Sequence, residues 1–229
     1  MFEFVYKMFG EGYAAIPKLG IGEISKQLKS KLHHTEFVFN CEVEEVTNDH
    51  ILLRDGVKKP HEGVIIASNG SSLLPGLKDR DIAWKSCMCV YFEVDKTNIP
   101  KNTIALIAEP DACANNLYGY TDAGTRKTIL SATTLQLDKK SDKEIIDTIM
   151  AEVKKYAGCS QASYIQHYRI NQALPDIQDL RMTAQPGESQ VMENVFLAGD
   201  YLLNGSLNAA MESGRLAAQA VVQKRKGSD

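Results

Sequence analysis

Val195-Phe196-Leu197-Ala198-Gly199-Asp200, followed by Gly205-Ser206-Leu207-Asn208-Ala209-Ala210 and Ser213-Gly214, is the stretch on which the reading of this chain turns. Val195 to Ala198 is a short apolar run of the kind that fills a parallel strand covered on both faces. Gly199 has no Cβ, which lets a ligand come close to the backbone. Asp200 then emerges at the carboxyl end of the strand, where open α/β sheets bind their ligands. From Ser206 to about Lys224 the pattern is helical. Leu207, Ala210, Met211, Gly214, Ala217, Ala218, Val221 and Val222 are expected to form one apolar stripe, thin enough for the axis to lie close to a sheet.

The N–H groups of that helix's first turn, around Ser206 to Ala209, lack intrahelical acceptors and carry partial positive charge. A carboxylate beside them can accept hydrogen bonds from ribose or ribityl hydroxyls. Taken singly, each residue also suits an ordinary strand and helix, with Asp200 a loop residue or a cap. The ordered string of strand, carboxylate, polar loop and helix N-terminus points instead to a phosphorylated or flavin-type cofactor.

The 229 residues are enough for one large or two modest domains with a real core. A formal charge of −3 and a pI near 6.0 leave no basic footprint for nucleic acid. No apolar run approaches membrane-spanning length and no charged-plus-apolar leader is present. Cys41, Cys87, Cys89, Cys113 and Cys159 are scattered and odd in number. They suggest neither a disulfide framework nor, with the histidines, a zinc site. Cys87 and Cys89 alternate along an expected strand and read as core residues of a reducing compartment, so a cytoplasmic location is expected.

Along the chain, a helix is expected from about 23 to 32, with Ile24, Leu28 and Leu32 at helical spacing. Glu36-Phe37-Val38-Phe39-Asn40 reads as a strand, residues 42–47 as a second, and Ile51-Leu52-Leu53 with a turn at Asp55-Gly56 completes a meander. Residues 63–68 form a buried strand. Between 76 and 188 the character changes. Runs at 87–94, 103–107, 116–120, 127–134 and 163–170 read as an antiparallel sheet, interrupted by a helix over about 142–156. Tyr118, Tyr120, Tyr164 and Tyr168 either pack across strands or wall a substrate.

The segment GDYLLNGSLNAAMESGRLAAQAV resembles the C-terminal flavin motif of the FAD-dependent amine oxidoreductase superfamily, which includes amine oxidases, protoporphyrinogen oxidases and carotenoid desaturases. GYAAIPKLGIGEISKQL, FNCEVEEV and VIIASNG follow the order of that superfamily's middle FAD segments, and Pro175 matches its ALP turn. The resemblance implies an α/β plus α+β fold. It would be an incomplete FAD-binding domain of glutathione-reductase-like type, from 17–75 and 189–229, with an inserted antiparallel-sheet substrate domain over 76–188 roofing the flavin. Residues 1–16 would be a junction from a missing or partner N-terminal part. It also implies that Asp200 contacts the ribityl–pyrophosphate portion of FAD and that the Asn208-Ala209 backbone faces the ring. Gly199, Ser206 and Leu207 complete the corner, and the backbone of Val43 meets the adenine. The reaction implied is hydride removal from a C–N or C–C bond of a largely apolar small molecule.

Two departures qualify this. The GxGxxG strand–turn–helix that grips the pyrophosphate is absent: Gly20-Ile21-Gly22 is followed by Ser25, and no strand precedes it. The chain therefore matches the C-terminal part of a longer flavoprotein. Alternatively, it is a non-catalytic module, or a subunit of a split one whose partner chain carries the GxGxxG unit. Second, Cys87 stands where many amine oxidases have a lysine, with Lys85 two residues earlier. No catalytic residue is assigned.

Overall fold

Residues 6–7, 10, 15–68, 70, 73–74, 82–122, 124–137 and 140–227 are described by the computed structural model. They pack as two units, Met1–Asp81 with Ile177–Asp229, and Ile82–Asp176. Most of the expected junction over 1–16, and Asn69 at the end of the VIIASNG motif, lie outside the described residues.

In the first unit, helix α1 (Gly22–Ser30) forms as its spacing predicts, yet none of its residues is buried. The strand expected at 36–40 does not form. Phe37 and Phe39 fall on one side of the extended chain and stack on each other, 6.3 Å between ring centres. Lys29 Nζ caps both rings at 4.8 and 4.7 Å, so local contacts replace a pairing partner. The meander runs instead through β1 (Val43–Val46), β2 (His50–Leu53) and β3 (Lys58–Pro60). Gly56, at φ +85°, turns the chain and donates its N–H to Leu53 C=O at 2.8 Å, which folds the polar Lys58-Lys59-Pro60 back onto β2. β4 (Val64–Ile66) follows.

The second unit is a five-stranded antiparallel sheet: β5 (Trp84–Val94), β6 (Ile104–Leu106), β7 (Asn116–Thr121), β8 (Thr128–Thr134) and β9 (Ala162–Pro175), in the order β6-β7-β8-β5-β9. Met88, Val90, Phe92 and Val94 alternate along β5 and enter one core with Leu117, Leu130 and Ala132. Helix α2 (Asp142–Ala157) covers that face through Ile145, Ile149 and Val153. It begins with a capping box: the Ser141 hydroxyl accepts from Glu144 N–H, and Glu144 reaches back to Ser141 N–H at 2.8 Å. It ends at Gly158, φ +66°, where a Cβ would lie 2.2 Å from Asn98 Nδ2.

Cys87 and Cys89 are not core residues. They lie half-buried on the face away from α2, because β5 alternates and Met88 and Val90 take the inward positions.

The chain then returns to the first unit through a 3₁₀ turn at Pro186–Ser189, β10 (Gln190–Met192), β11 (Val195–Leu197), a second 3₁₀ turn at Asp200–Leu202 and helix α3 (Leu207–Lys226). β11 is central in a second sheet, antiparallel to β10 and parallel to β4. The stripe expected on α3 is corrected. Ala209, Ser213, Leu216, Ala217 and Ala220 are buried, whereas Leu207, Met211 and Val222 are exposed. Close approach, rather than apolar count, chooses the face: Ala217 and Ala220 lie against Phe196 and Ala198. Gly214, expected to permit that approach, has nothing within 4 Å of a built Cβ. No helix among the described residues is long and apolar enough to cross a membrane.

Two predictions follow from this packing. Glu152 on α2 accepts from Cys113 N–H at 2.8 Å and from Ala114 N–H at 2.7 Å, satisfying both donors of a buried loop. Glu152→Ala is expected to cost about 1–3 kcal/mol in urea unfolding. In the first unit, the Arg181 guanidinium holds Glu188 at about 2, and Arg215 holds Glu212 at about 2, both below the ordinary 4.5. A carboxylate depressed by folding stabilises above its unfolded pKa and loses that contribution as pH falls through the folded one. Thermal midpoints should therefore fall between about pH 4.5 and 2. The slope should flatten in Glu188→Gln/Glu212→Gln, modestly because both groups are solvated.

Candidate functional site

The carboxyl ends of β4 and β11 lie side by side, with Leu197 opposite Ile66 and Ala198 N–H donating to Ile66 C=O at 2.9 Å. The chain leaves β11 through Gly199, whose N–H donates to Ser213 Oγ at 2.9 Å, while that hydroxyl donates to Ala210 C=O. Ser213 is 3 % exposed, so this bond binds α3 to the strand end away from water. Gly199 was read as room for a ligand, but the structure fills the space otherwise. A Cβ there would meet the Tyr201 ring at 2.2 Å, and the backbone is extended, which any residue adopts.

Asp200 opens the 3₁₀ turn, and its C=O accepts from Leu203 N–H at 3.1 Å and Gly205 N–H at 3.0 Å. With the backbone satisfied locally, the half-buried Asp200 carboxylate has no hydrogen-bond or ion-pair partner among the described residues. Gly205, at φ +66°, swings the chain into α3. Ser206 is the N-cap: its Oγ accepts from Ala209 N–H at 3.1 Å and donates to Asn204 Oδ1 at 2.6 Å. Asn204 in turn donates to Arg181 C=O at 2.8 Å. The sequence reading missed this role of Asn204; an Asn two residues before a Ser cap was the available signal.

Of the corner residues, then, Ser206 and Ala209 are engaged with each other and the Ala209 side chain is buried. Leu207 and Asn208 remain exposed at the helix start, where helix geometry leaves their N–H groups without an intrahelical acceptor. Val43 lies elsewhere in the unit. It lines an apolar groove of about 430 Å³ along β4, with Val46, Ile51, Ile65, Ile66 and Leu73. The groove reaches Ala67 and Ser68, and the Tyr201 hydroxyl lies 3.5 Å from Ser68 C=O, so the groove and the corner meet at the carboxyl ends of the two parallel strands. Unengaged carboxylate, open helix start and apolar groove suit the ribityl and ring portions of a flavin nucleotide. The corner offers the pyrophosphate no glycine-rich loop.

In the second unit, the sheet face away from α2 carries a depression of about 600 Å³, lined by Tyr91, Tyr120, Ile129, Ile165 and Tyr168, with Glu93, Asp122 and Lys127 at its rim. Lys127 Nζ is 2.7 Å from Glu93. Tyr91 and Tyr168 meet edge to face at 6.0 Å, and Tyr118 stacks on Tyr120 at 6.1 Å. Tyr164 does not join them. The register shifts between Tyr91 and Phe92, placing Tyr164 opposite the inward-facing Phe92, and its hydroxyl meets His167 Nδ1 at 2.7 Å.

Tyr91 takes its place, a residue the four-tyrosine grouping omitted. On the same face the Cys87 thiol is held above its ordinary pKa by burial and by neighbouring Cys89, which keeps it protonated and a poor nucleophile. Lys85 pairs with Asp176 at 3.1 Å.

A mixed α/β chain with several sheets, one of them containing a parallel strand pair that ends in an acidic corner, has the architecture of FAD-dependent oxidoreductases. The flavin containing amine oxidoreductase model matches residues 2–222, and the chain belongs to that family. Membership implies a flavin cofactor.

In structure the chain is similar to cyclohexylamine oxidase from Brevibacterium oxydans (13% identity, TM-score 0.65, 90% of this chain and 53% of that one). It is also similar to the fatty acid isomerase from P. acnes that produces CLA (13%, 0.65, 87% and 52%). Putrescine oxidase, solved with putrescine bound, is a third (11%, 0.57, 90% and 53%). These likenesses concern the fold, and the chain spans about half the length of each relative. No curated protein matches it in sequence.

Ser213→Ala leaves the Gly199 N–H without its acceptor and opens a gap where a buried hydroxyl stood. It should lower unfolding stability by about 1–3 kcal/mol, more than Ser206→Ala at the half-buried cap, in parallel denaturant titrations.

Proposed function

We propose that the chain is the C-terminal portion of an FAD-dependent oxidoreductase that removes hydride from a C–N or C–C bond of a largely apolar small molecule. The observation that carries this is the Asp200 carboxylate, without a partner among the described residues, at the carboxyl end of the parallel β4–β11 pair. When bound, the flavin supplies the two-electron acceptor. Asp200 would hold ribityl or ribose hydroxyls, and the Leu207 and Asn208 N–H groups would face the electron-rich edge of the ring. Gly199 and Ser206 shape the corner, and the Val43 backbone would lie at the adenine. The tyrosine-lined depression of the second unit would seat the apolar substrate, with the Glu93–Lys127 pair closing one end.

The second reading, a subunit of a split flavoprotein that cannot hold FAD by itself, is favoured by β4. Its outer edge is unpaired among the described residues. Ile65, on the same face as Phe196, is 37 % exposed in what the sequence marks as an interior parallel strand. A strand from a GxGxxG-bearing partner chain would extend the sheet there, and its crossover helix would cover Ile65.

Titration of purified chain with FAD, followed by quenching of flavin fluorescence, separates the readings. Uptake by the chain alone, weakened roughly ten- to hundredfold in Asp200→Ala, is expected from the first. A colourless chain that turns yellow only with a dinucleotide-binding partner is expected from the second. No uptake under either condition would overturn both.

A further inference from the structure

Two thiols stand side by side on the sheet face of the second unit that α2 leaves uncovered. Cys87 and Cys89 are two residues apart on β5, so alternation sends both side chains the same way, and each is half-buried. The Cys87 thiol donates a hydrogen bond to the Cys89 sulfur, and Cys89 Sγ lies 3.6 Å from the Thr133 hydroxyl across the ladder on β8. Neither sulfur lines the tyrosine depression, and hydride transfer to a flavin asks nothing of the pair.

The sheet fixes how far apart the two sulfurs can be. Residues two apart on a strand are separated by about 6.8 Å, with their Cβ atoms pointing the same way. A disulfide needs Cβ atoms within about 3.5–4.5 Å of each other, so closing one here would require β5 to buckle. As an interior strand, β5 cannot buckle without losing ladder hydrogen bonds. Cys89 is paired with Thr133 on β8 and with Tyr168 on β9, and Cys87 with Ile170 on β9. Rotation about χ1 brings the sulfurs closer than the Cβ atoms. A metal–thiolate bond is about 2.3 Å, so an ion between two sulfurs spans roughly 4.6 Å. The strand thus holds the thiols too far apart to oxidise onto each other and near enough to share one ion.

The kind of ion follows from the number of ligands. Thiolates select soft metals: monovalent copper, zinc or iron–sulfur clusters. Structural zinc and iron–sulfur centres are closed by four protein ligands. Among the described residues, no three histidine, cysteine or carboxylate side chains come together as a metal shell. Monovalent copper is satisfied by two thiolates in line. The Thr133 hydroxyl would then donate to the charged Cys89 sulfur, as outer hydrogen bonds do around metal ligands.

We propose that Cys87 and Cys89 form a two-coordinate site for copper(I), held between their sulfurs. Binding releases the two thiol protons to solvent and forms two S–Cu bonds, with no change of oxidation state. The site asks for room for one atom rather than for an open face, and it is independent of flavin binding.

The test is anaerobic titration of the full, reduced chain with Cu(I) against bicinchoninate, a coloured copper(I) chelator. Cys41→Ser serves as the parent, because Cys41 is exposed and would take copper by itself. One Cu(I) per chain should be withdrawn from the chelator, while Zn(II) titrated against a zinc-binding dye should not be retained. Thr133→Val should weaken copper retention roughly tenfold, and Cys87→Ser or Cys89→Ser by at least roughly hundredfold. Urea midpoints of the metal-free variants should match the parent, which separates loss of a ligand from loss of the fold.

No retention by the parent overturns the proposal. So does retention unchanged by either serine substitution, which would place the copper on Cys113 or Cys159. Zinc held as tightly as copper overturns the two-coordinate assignment, and a Cys87–Cys89 disulfide found by mass spectrometry after diamide treatment overturns the spacing on which the site rests.

Discussion

The first unit depends on how closely α3 can lie against β11. Strands of three residues do not hold a sheet together by their own hydrogen bonds. A parallel pair in addition needs cover on both faces. One face is covered by the meander cluster around Val46, Leu74, Val195 and Leu197, and the other by α3. The second contact works because Ala209, Ser213, Ala217 and Ala220 are small and because the one polar residue among them is used. Ser213 takes the Gly199 N–H that would otherwise end β11 as an orphan donor. Once that bond is made, the chain must turn within the 3₁₀ segment Asp200–Leu202 and re-enter the helix through Gly205 and the Ser206 cap. Among the described residues the Asp200 carboxylate is left without a partner once the local backbone demands have been met.

The two units differ in how continuous their cores are. The second has one continuous core running from Met88 through Leu130 to Val153, with a helix across one sheet face and an open face on the other. The first distributes its buried residues over two small clusters and leaves β4 at a sheet edge. A strand whose residues are Val, Ile and Ile at an open edge is the kind of surface that soluble proteins cover or charge. This asymmetry agrees with a chain that spans about half of its structural relatives.

Much of this was legible in the sequence, for a physical reason. Val195-Phe196-Leu197 read as a buried strand because all three residues are apolar and Ala198 continues the run, and the structure buries all three. Helix α2 was legible because Ile145, Ile149 and Val153 keep one face and Ser141-x-x-Glu144 marks its start. Helix α3 was legible as a helix but not in its facing. Apolar count selected Leu207 and Met211, whereas the buried face is chosen by size and by one serine hydroxyl. Periodicity carries no term for a side chain that bonds a neighbouring backbone. Gly199 shows the same limit. A glycine tells that something occupies the place of its Cβ, but only coordinates tell that this is the ring of Tyr201.

The tyrosines carry that argument further. Alternation places Tyr164 and Tyr168 on one face of β9, and an unbroken ladder would keep them there. One extra residue, Ile165, enters β9 between the partners of Tyr91 and Phe92, and everything on its amino-terminal side changes face. Tyr164 then joins His167, which lies 3.3 Å from Asp142 at the start of α2, on the sheet face that carries α2, where it stays exposed. Ile165 itself, displaced outward, lines the open depression beside Tyr91 and Tyr168. A single insertion thus moves a hydroxyl out of the open face and puts a branched aliphatic in. The depression is made more apolar by a change of register that no residue type announces.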